Sequence, residues 1–221
     1  MFGIFPERRA SFFLLEASLF EDMAALWNST VGNPLPPTSV EALGSPLEVK
    51  RHFALLRSTL RAAFALLEGY LNGLAADIYL TRTDLTQDEL TSLTEWDATE
   101  ERHKTLGFRE KVHRYPRIAI ASKHPPITES SSRALALLLE AQTRLRHAVI
   151  HPTPLGKTDN GVPSREQVHH NLTQDEVADV CDAAIQLILD VSTAIEHRFG
   201  GVDWWLKPRA ESGLFGNEVF L

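Results

Sequence analysis

Apolar residues recur along much of the chain at steps of three and four, which is the spacing of one helix face. The longest such pattern predicts a helix over about 46–80. Ser45-Pro46-Leu47-Glu48 precedes it and has the form of a capping box with proline at the first helical position. The apolar positions of this helix are Phe53, Leu56, Leu60, Ala63, Leu67, Leu71, Leu74 and Ile78.

The same spacing predicts four further helices. An N-terminal amphipathic helix covers roughly 8–28. Thr86-Gln87-Asp88-Glu89 is a second capping box and predicts a shorter helix through Trp96, and Thr173-Gln174-Asp175-Glu176 opens a long apolar run that Gly200-Gly201 ends. The fourth helix runs from about Glu129 to Ile150. Because no segment alternates with the period of a strand, the predicted fold class is all-α, an up-and-down helical bundle.

Proline and glycine divide the chain. The segment from Gly32 to Pro46 is predicted to be a linker, and the segment from Pro152 to Asn171 a long polar loop. We therefore expect three parts: the N-terminal amphipathic helix and linker at 1–44, a helical bundle at 45–201 and a C-terminal tail at 202–221.

Composition is that of an ordinary globular protein, with 43% hydrophobic and 23% charged residues among 221. The single Cys181 excludes an internal disulfide, and its place in an apolar helical pattern predicts a buried, unreactive thiol. No stretch approaches the roughly 18 apolar residues of a membrane span. We expect a soluble cytoplasmic protein that does not contact a membrane.

Charge is distributed unevenly. The net charge is −7, which argues against indiscriminate nucleic-acid binding, yet residues 102–123 carry a local balance of +6. One interpretation is a surface that faces phosphates, with Arg109, Lys111, Arg114 and Arg117 as candidate RNA contacts. The other is a solvated helix face that acidic neighbours neutralise.

The candidate chemistry lies in Arg144-Leu145-Arg146-His147-Ala148-Val149-Ile150-His151, directly before Pro152. Arginine supplies a permanent planar cation suited to phosphate, and histidine exchanges a proton near neutral pH. On an ideal helix Arg146 and His151 lie about 140° apart, whereas Arg144, His147 and His151 share one face. Either arginine could therefore serve the histidine.

This motif, with its place at the end of a late helix, resembles the R-x4-6-H signature of the HEPN superfamily. The resemblance covers about 48–199. It extends to the acidic-then-aromatic stretch at Glu68 to Asn72 in the long helix and to the final amphipathic helix at 174–199. Where the family commonly has a polar residue such as asparagine, this chain has His147.

The resemblance implies a homodimeric, metal-independent endoribonuclease that needs no cofactor. The RNA 2′-hydroxyl attacks the adjacent phosphorus and gives a 2′,3′-cyclic phosphate. His151 is expected to move a proton and Arg146 to stabilise the phosphorane, with His147 assisting. Glu68, Asn72 and Arg144 are supporting candidates, because an acidic residue often holds the arginine of such sites. The family also implies a defence or toxin–antitoxin setting with an antitoxin partner.

Other interpretations of the same residues stay open. Arg146 and His151 could cap the helix C-terminus, where cations are favoured. His147 and His151, four apart, could bind zinc, although Ala148 stands where the H-E-x-x-H motif has glutamate. Glu68 and Asn72 could satisfy buried polar groups. The chain could also be a non-catalytic HEPN module that pairs with a nucleotidyltransferase, or a purely structural helical dimer.

Overall fold

The computed structural model describes residues 6–33, 35, 41, 44–146, 149, 165–196 and 199. These ranges are mostly helical, which confirms the all-α class. None of the helices in them is long and apolar enough to span a membrane. The predicted tail at 202–221 lies outside the described residues. The elements are helices α1 (Pro6–Val31), α2 (Leu47–Thr81), α3 (Gln87–Thr94), strands β1 (Trp96–Asp97) and β2 (Arg102–His103), and helices α4 (Phe108–Ala119), α5 (Arg133–Ala141), α6 (Arg165–His170) and α7 (Gln174–Ala194).

Helix α2 is the centre of the bundle. It packs against α1, α3, α4 and α7, and the predicted apolar positions of α2 are buried in one continuous core. Helix α1 adds Phe20, Met23 and Trp27 to that core, so the N-terminal helix packs directly on α2. The two helices approach closely at Gly69, where an added Cβ would come within 2.7 Å of Leu19 Cδ1.

The capping predictions had different outcomes. Both threonine capping boxes are confirmed: Glu89 N donates to Thr86 Oγ1 at 3.3 Å and Glu176 N to Thr173 Oγ1 at 3.2 Å, while each glutamate carboxylate accepts from its threonine N–H at 2.9 Å. The predicted position of the proline at the start of α2 is wrong by one residue. Pro46 is the N-cap rather than the first helical residue, and α2 begins at Leu47.

The helix predicted from Glu129 to Ile150 begins later and is not uniform. Ser132 is the N-cap, with its Oγ accepting from Leu135 N at 3.2 Å, so the prediction of a start at Glu129 is wrong. The α-helix ends at Ala141 and is followed by a π-helical turn, Gln142–Arg146. A π turn has i→i+5 hydrogen bonds. It therefore changes the direction of each side chain after Ala141 relative to a uniform α-helix.

Three elements were not predicted from the sequence: helix α4, a small hairpin and helix α6. Helix α3 ends at Thr94 rather than Trp96, because Glu95 adopts the left-handed conformation at φ 50° and the chain turns into a small hairpin, in which Trp96 pairs with His103. Strands of two residues are too short for an alternation of polar and apolar residues to be recognised in the sequence. The predicted loop from Pro152 to Asn171 contains α6, and residues 151–164 lie outside the described residues.

Replacing Thr173 with alanine is expected to lower the free energy of unfolding by about 1 kcal/mol, because the first turn of α7 loses its capping bond. Urea denaturation followed by circular dichroism measures the change. Thr193→Ala is the matched control, since Thr193 is exposed near the other end of the same helix. Equal stability of the Thr173 variant and the wild type would contradict the assigned role of the cap.

Candidate arginine site

Arg146 is held by the central helix. Its Nη2 donates to Glu68 Oε1 at 2.8 Å, and its guanidinium carbon lies 5.6 Å from the centre of the Phe64 ring. Phe64 and Glu68 are four residues apart and therefore share one face of α2. The Arg146 side chain is 25% exposed, and its buried Nε has no hydrogen-bond partner among the described residues. The site is thus a guanidinium that Glu68 and Phe64 hold in place and that is partly exposed to solvent.

Arg144, the other candidate arginine, points elsewhere. Its Nη1 lies 2.6 Å from Glu176 Oε1, and Glu176 also accepts from Thr173 in the capping box of α7. Burial alone would raise the pKa of the Glu176 carboxyl, but the bonds from Thr173 and Arg144 outweigh it and the pKa is lowered. Arg144 therefore ties the π turn to the start of α7, in a different place from Arg146.

Asn72 and Lys111 belong to a separate polar cluster. Lys111 Nζ lies 2.7 Å from Glu95 Oε1 and donates to Asn72 Oδ1 at 2.9 Å, while Tyr115 Oη donates to the same Glu95 oxygen at 3.4 Å. The Lys111 side chain is buried, and its ammonium contacts these neighbours. The hydrogen bond to Lys111 is the only one that the Asn72 side chain makes within the described residues. Asn72 therefore supports the lysine and does not hold Arg146. Its role matches the alternative interpretation, a polar group that satisfies a buried donor.

Acidic neighbours neutralise most of the basic stretch. Arg109 pairs with Glu129 at 2.6 Å, and Arg114 lies 3.8 Å from Glu110 and donates to Ser92 Oγ at 3.0 Å. These contacts support the interpretation of residues 102–123 as a neutralised helix face. Of the four RNA-contact candidates, Arg117 alone makes no side-chain pair within the part of the chain that the structure describes.

Arg61 belongs to the same region and was missed in the sequence. Its Nη2 donates to the carbonyl of Val149 at 2.8 Å, which joins α2 to the segment between Arg146 and His151. Arg61 stands seven residues before Glu68, so the two share a face of α2. That spacing was visible in the sequence, but the distance to Val149 depends on tertiary packing. His147 and His151 lie outside the described residues, and their predicted roles stay predictions.

Two buried ionisable groups lie on α7. Burial raises the pKa of the Cys181 thiol, so the thiolate needed for reactivity is disfavoured, as the sequence predicted. Burial, with a contribution from the negative charge of Asp179, also raises the pKa of Asp182 to about 7. The Oδ1 atom of Asp182 is buried and has no partner among the described residues.

Comparison with known proteins adds no assignment: no protein-family model matches the chain, and no match was found among curated proteins or solved structures.

The free energy of unfolding is expected to fall as pH rises from about 4 to 7, through Asp182. In this interval the unfolded carboxyl, with its ordinary pKa of 3.8, has lost its proton, while the folded carboxyl, with a pKa of about 7, retains it. Asp182→Asn should remove this contribution, so the variant gains stability relative to wild type across the interval. Urea midpoints at pH 4.5 and 7.5 measure the gain. A difference independent of pH would contradict the raised pKa.

Proposed function

We propose that this protein is a HEPN-type, metal-independent endoribonuclease that acts as a homodimer. The observation that carries the proposal is the fixed guanidinium of Arg146, held by Glu68 of α2 at 2.8 Å and partly exposed to solvent. The resemblance to HEPN domains implied such a contact between an acidic residue of the long helix and the motif arginine. The contact joins residues that are 78 positions apart.

The π-helical turn also supports the proposal. π turns within α-helices occur frequently at functional sites, because they redirect side chains away from the regular helical faces. Here Arg146 is the last residue of the turn. The preceding Arg144 is bound to α7 and Arg146 to α2, so the turn separates two arginines only two positions apart. We assign phosphate binding to Arg146 and a structural role to Arg144.

In the proposed reaction, the ribose 2′-oxygen attacks the adjacent phosphorus and the bond to the 5′-oxygen breaks. The 2′-hydroxyl gives up a proton and the leaving 5′-oxygen gains one, and His151 carries at least one of these transfers. Arg146 stabilises the added negative charge of the phosphorane with its N–H donors. His147 is the candidate for the second proton transfer. The requirement for a 2′-hydroxyl makes the reaction selective for RNA over DNA.

A non-catalytic HEPN module that binds a partner enzyme is the second candidate. The neutralised basic stretch favours it, because Arg109 and Arg114 are paired with carboxylates and Lys111 is buried. Such a surface offers an RNA backbone little unpaired positive charge. The two candidates differ in one measurable respect, which is whether the purified dimer cleaves RNA.

The decisive experiment incubates purified protein with end-labelled single-stranded RNA in excess EDTA. Wild type is expected to yield products ending in a 2′,3′-cyclic phosphate. His151→Ala should reduce the cleavage rate by about 10²–10⁴-fold, the typical contribution of a general acid or base. Arg146→Ala should reduce it by about 10²–10³-fold, as expected when a donor to a developing charge is lost.

Arg144→Ala is the matched control, since it removes the same charge two residues away, and it should retain cleavage within about threefold of wild type. Glu68→Gln keeps a hydrogen-bond acceptor but loses the charge, so its rate should lie between those of wild type and Arg146→Ala. Circular dichroism and sedimentation check folding and dimerisation. A folded wild-type dimer that cleaves no RNA, or cleavage that survives Arg146→Ala, would refute the proposal, and the first result would favour the binding module.

A further inference from the structure

A groove of about 520 Å³ lies between α1 and α2, beside the arginine site. Its volume is within the range of roughly 300–1,000 Å³ that is usual for small-ligand pockets. The groove is open to solvent. Its lining residues are Leu19, Asp22, Ala25, Leu26, Ser29, Arg61, Ala62 and Ala65.

The groove reaches the arginine site through Arg61. This residue lines the groove and also donates to the carbonyl of Val149, three residues after Arg146. Ala65 lines the groove one turn further along α2, and Glu68, which holds Arg146, follows three residues later on the same face. One turn of helix advances about 5.4 Å. A group that occupies the groove is therefore adjacent to whatever Arg146 binds.

The lining of the groove is mostly apolar, with one carboxylate and one guanidinium. Ala25, Ala62 and Ala65 have short side chains and, with Leu19 and Leu26, make apolar walls. Asp22 is exposed, and its carboxylate makes no ion pair or hydrogen bond among the described residues. Arg61 uses one N–H group for Val149, and its remaining N–H groups have no partner in the same ranges.

We propose that this groove, which we call the α1–α2 groove, binds an unpaired guanine nucleotide of the RNA substrate. The two oxygens of the Asp22 carboxylate accept the adjacent N1–H and N2–H groups of guanine, an arrangement that neither adenine nor a pyrimidine can offer. The apolar walls cover the faces of the base, and Arg61 lies near the phosphate. The inference rests on the proposed ribonuclease function, because it assigns the base specificity of that same site.

The test measures binding apart from cleavage. Fluorescein-labelled 2′-O-methyl tetranucleotides UUGU and UUAU lack the attacking hydroxyl, so the full-length protein cannot cleave them by the proposed reaction. Anisotropy titration should show the guanine oligonucleotide binding at least about tenfold more tightly than the adenine one, since hydrogen bonds to a charged group are worth about 1.5–3 kcal/mol.

Two variants address the two parts of the groove. Asp22→Asn should abolish the preference for guanine and leave the affinity for UUAU unchanged. Ala65→Leu should weaken the binding of both oligonucleotides, because the larger side chain fills the groove. Leucine favours helix, so α2 should keep its structure. Asp88→Asn and Ala136→Leu are matched controls at exposed positions on α3 and α5, and both should bind like wild type.

The outcomes separate this inference from the ribonuclease proposal. Equal binding of the two oligonucleotides by wild type, no binding of either, or a guanine preference that survives Asp22→Asn would overturn the groove assignment, even if the protein cleaves RNA. An Asp22-dependent preference in a protein that cleaves nothing would refute the ribonuclease proposal alone. The groove would then stand as a site for guanine nucleotides.

Discussion

The burial of helix α2 on several sides at once is the constraint on which the other elements depend. Its 35 residues extend over about 52 Å, and in folded proteins most of the stability of a helix comes from the packing of its apolar face against other elements. Helices α1, α3, α4 and α7 all pack against it. The arginine site and the α1–α2 groove both use residues of α2: Phe64 and Glu68 contact Arg146, while Arg61, Ala62 and Ala65 line the groove.

A polar cluster around the buried Lys111 fixes the far part of α2. Lys111 of α4 meets Glu95 and Asn72, and an unpaired ammonium at this depth would be costly. The cluster therefore specifies how α3 and α4 sit on α2, and Arg82 adds a bond to the carbonyl of Ile118 in the last turn of α4. Asn72 is one turn beyond Glu68 on the same face. Glu68 holds Arg146, whereas Asn72 accepts a hydrogen bond from Lys111. The sequence alone did not separate these roles, because both residues are polar and lie one turn apart on the same face.

In the part of the chain that the structure describes, several arginine side chains are paired with nearby carboxylates. Arg57, Arg109, Arg144 and Arg146 each have a carboxylate partner at 2.5–2.8 Å. With these cations compensated and a net charge of −7, nonspecific attraction to a polyanion is weak. In the proposed function, recognition of RNA therefore depends on a few defined contacts, namely the oriented guanidinium of Arg146 and the α1–α2 groove.

The sequence by itself determined most of the helices. The periodic apolar positions of α2, and the capping boxes at Thr86 and Thr173, act within one turn or one helix, so their physics is contained in adjacent residues. The same is true of the burial of Cys181. Tertiary structure decided the rest. The π turn, the burial of Lys111, the pairing of Glu68 with Arg146 and the contact of Arg61 with Val149 all depend on which helix lies beside which. Contacts between residues far apart in the chain follow from packing, and a single sequence pattern does not contain those distances.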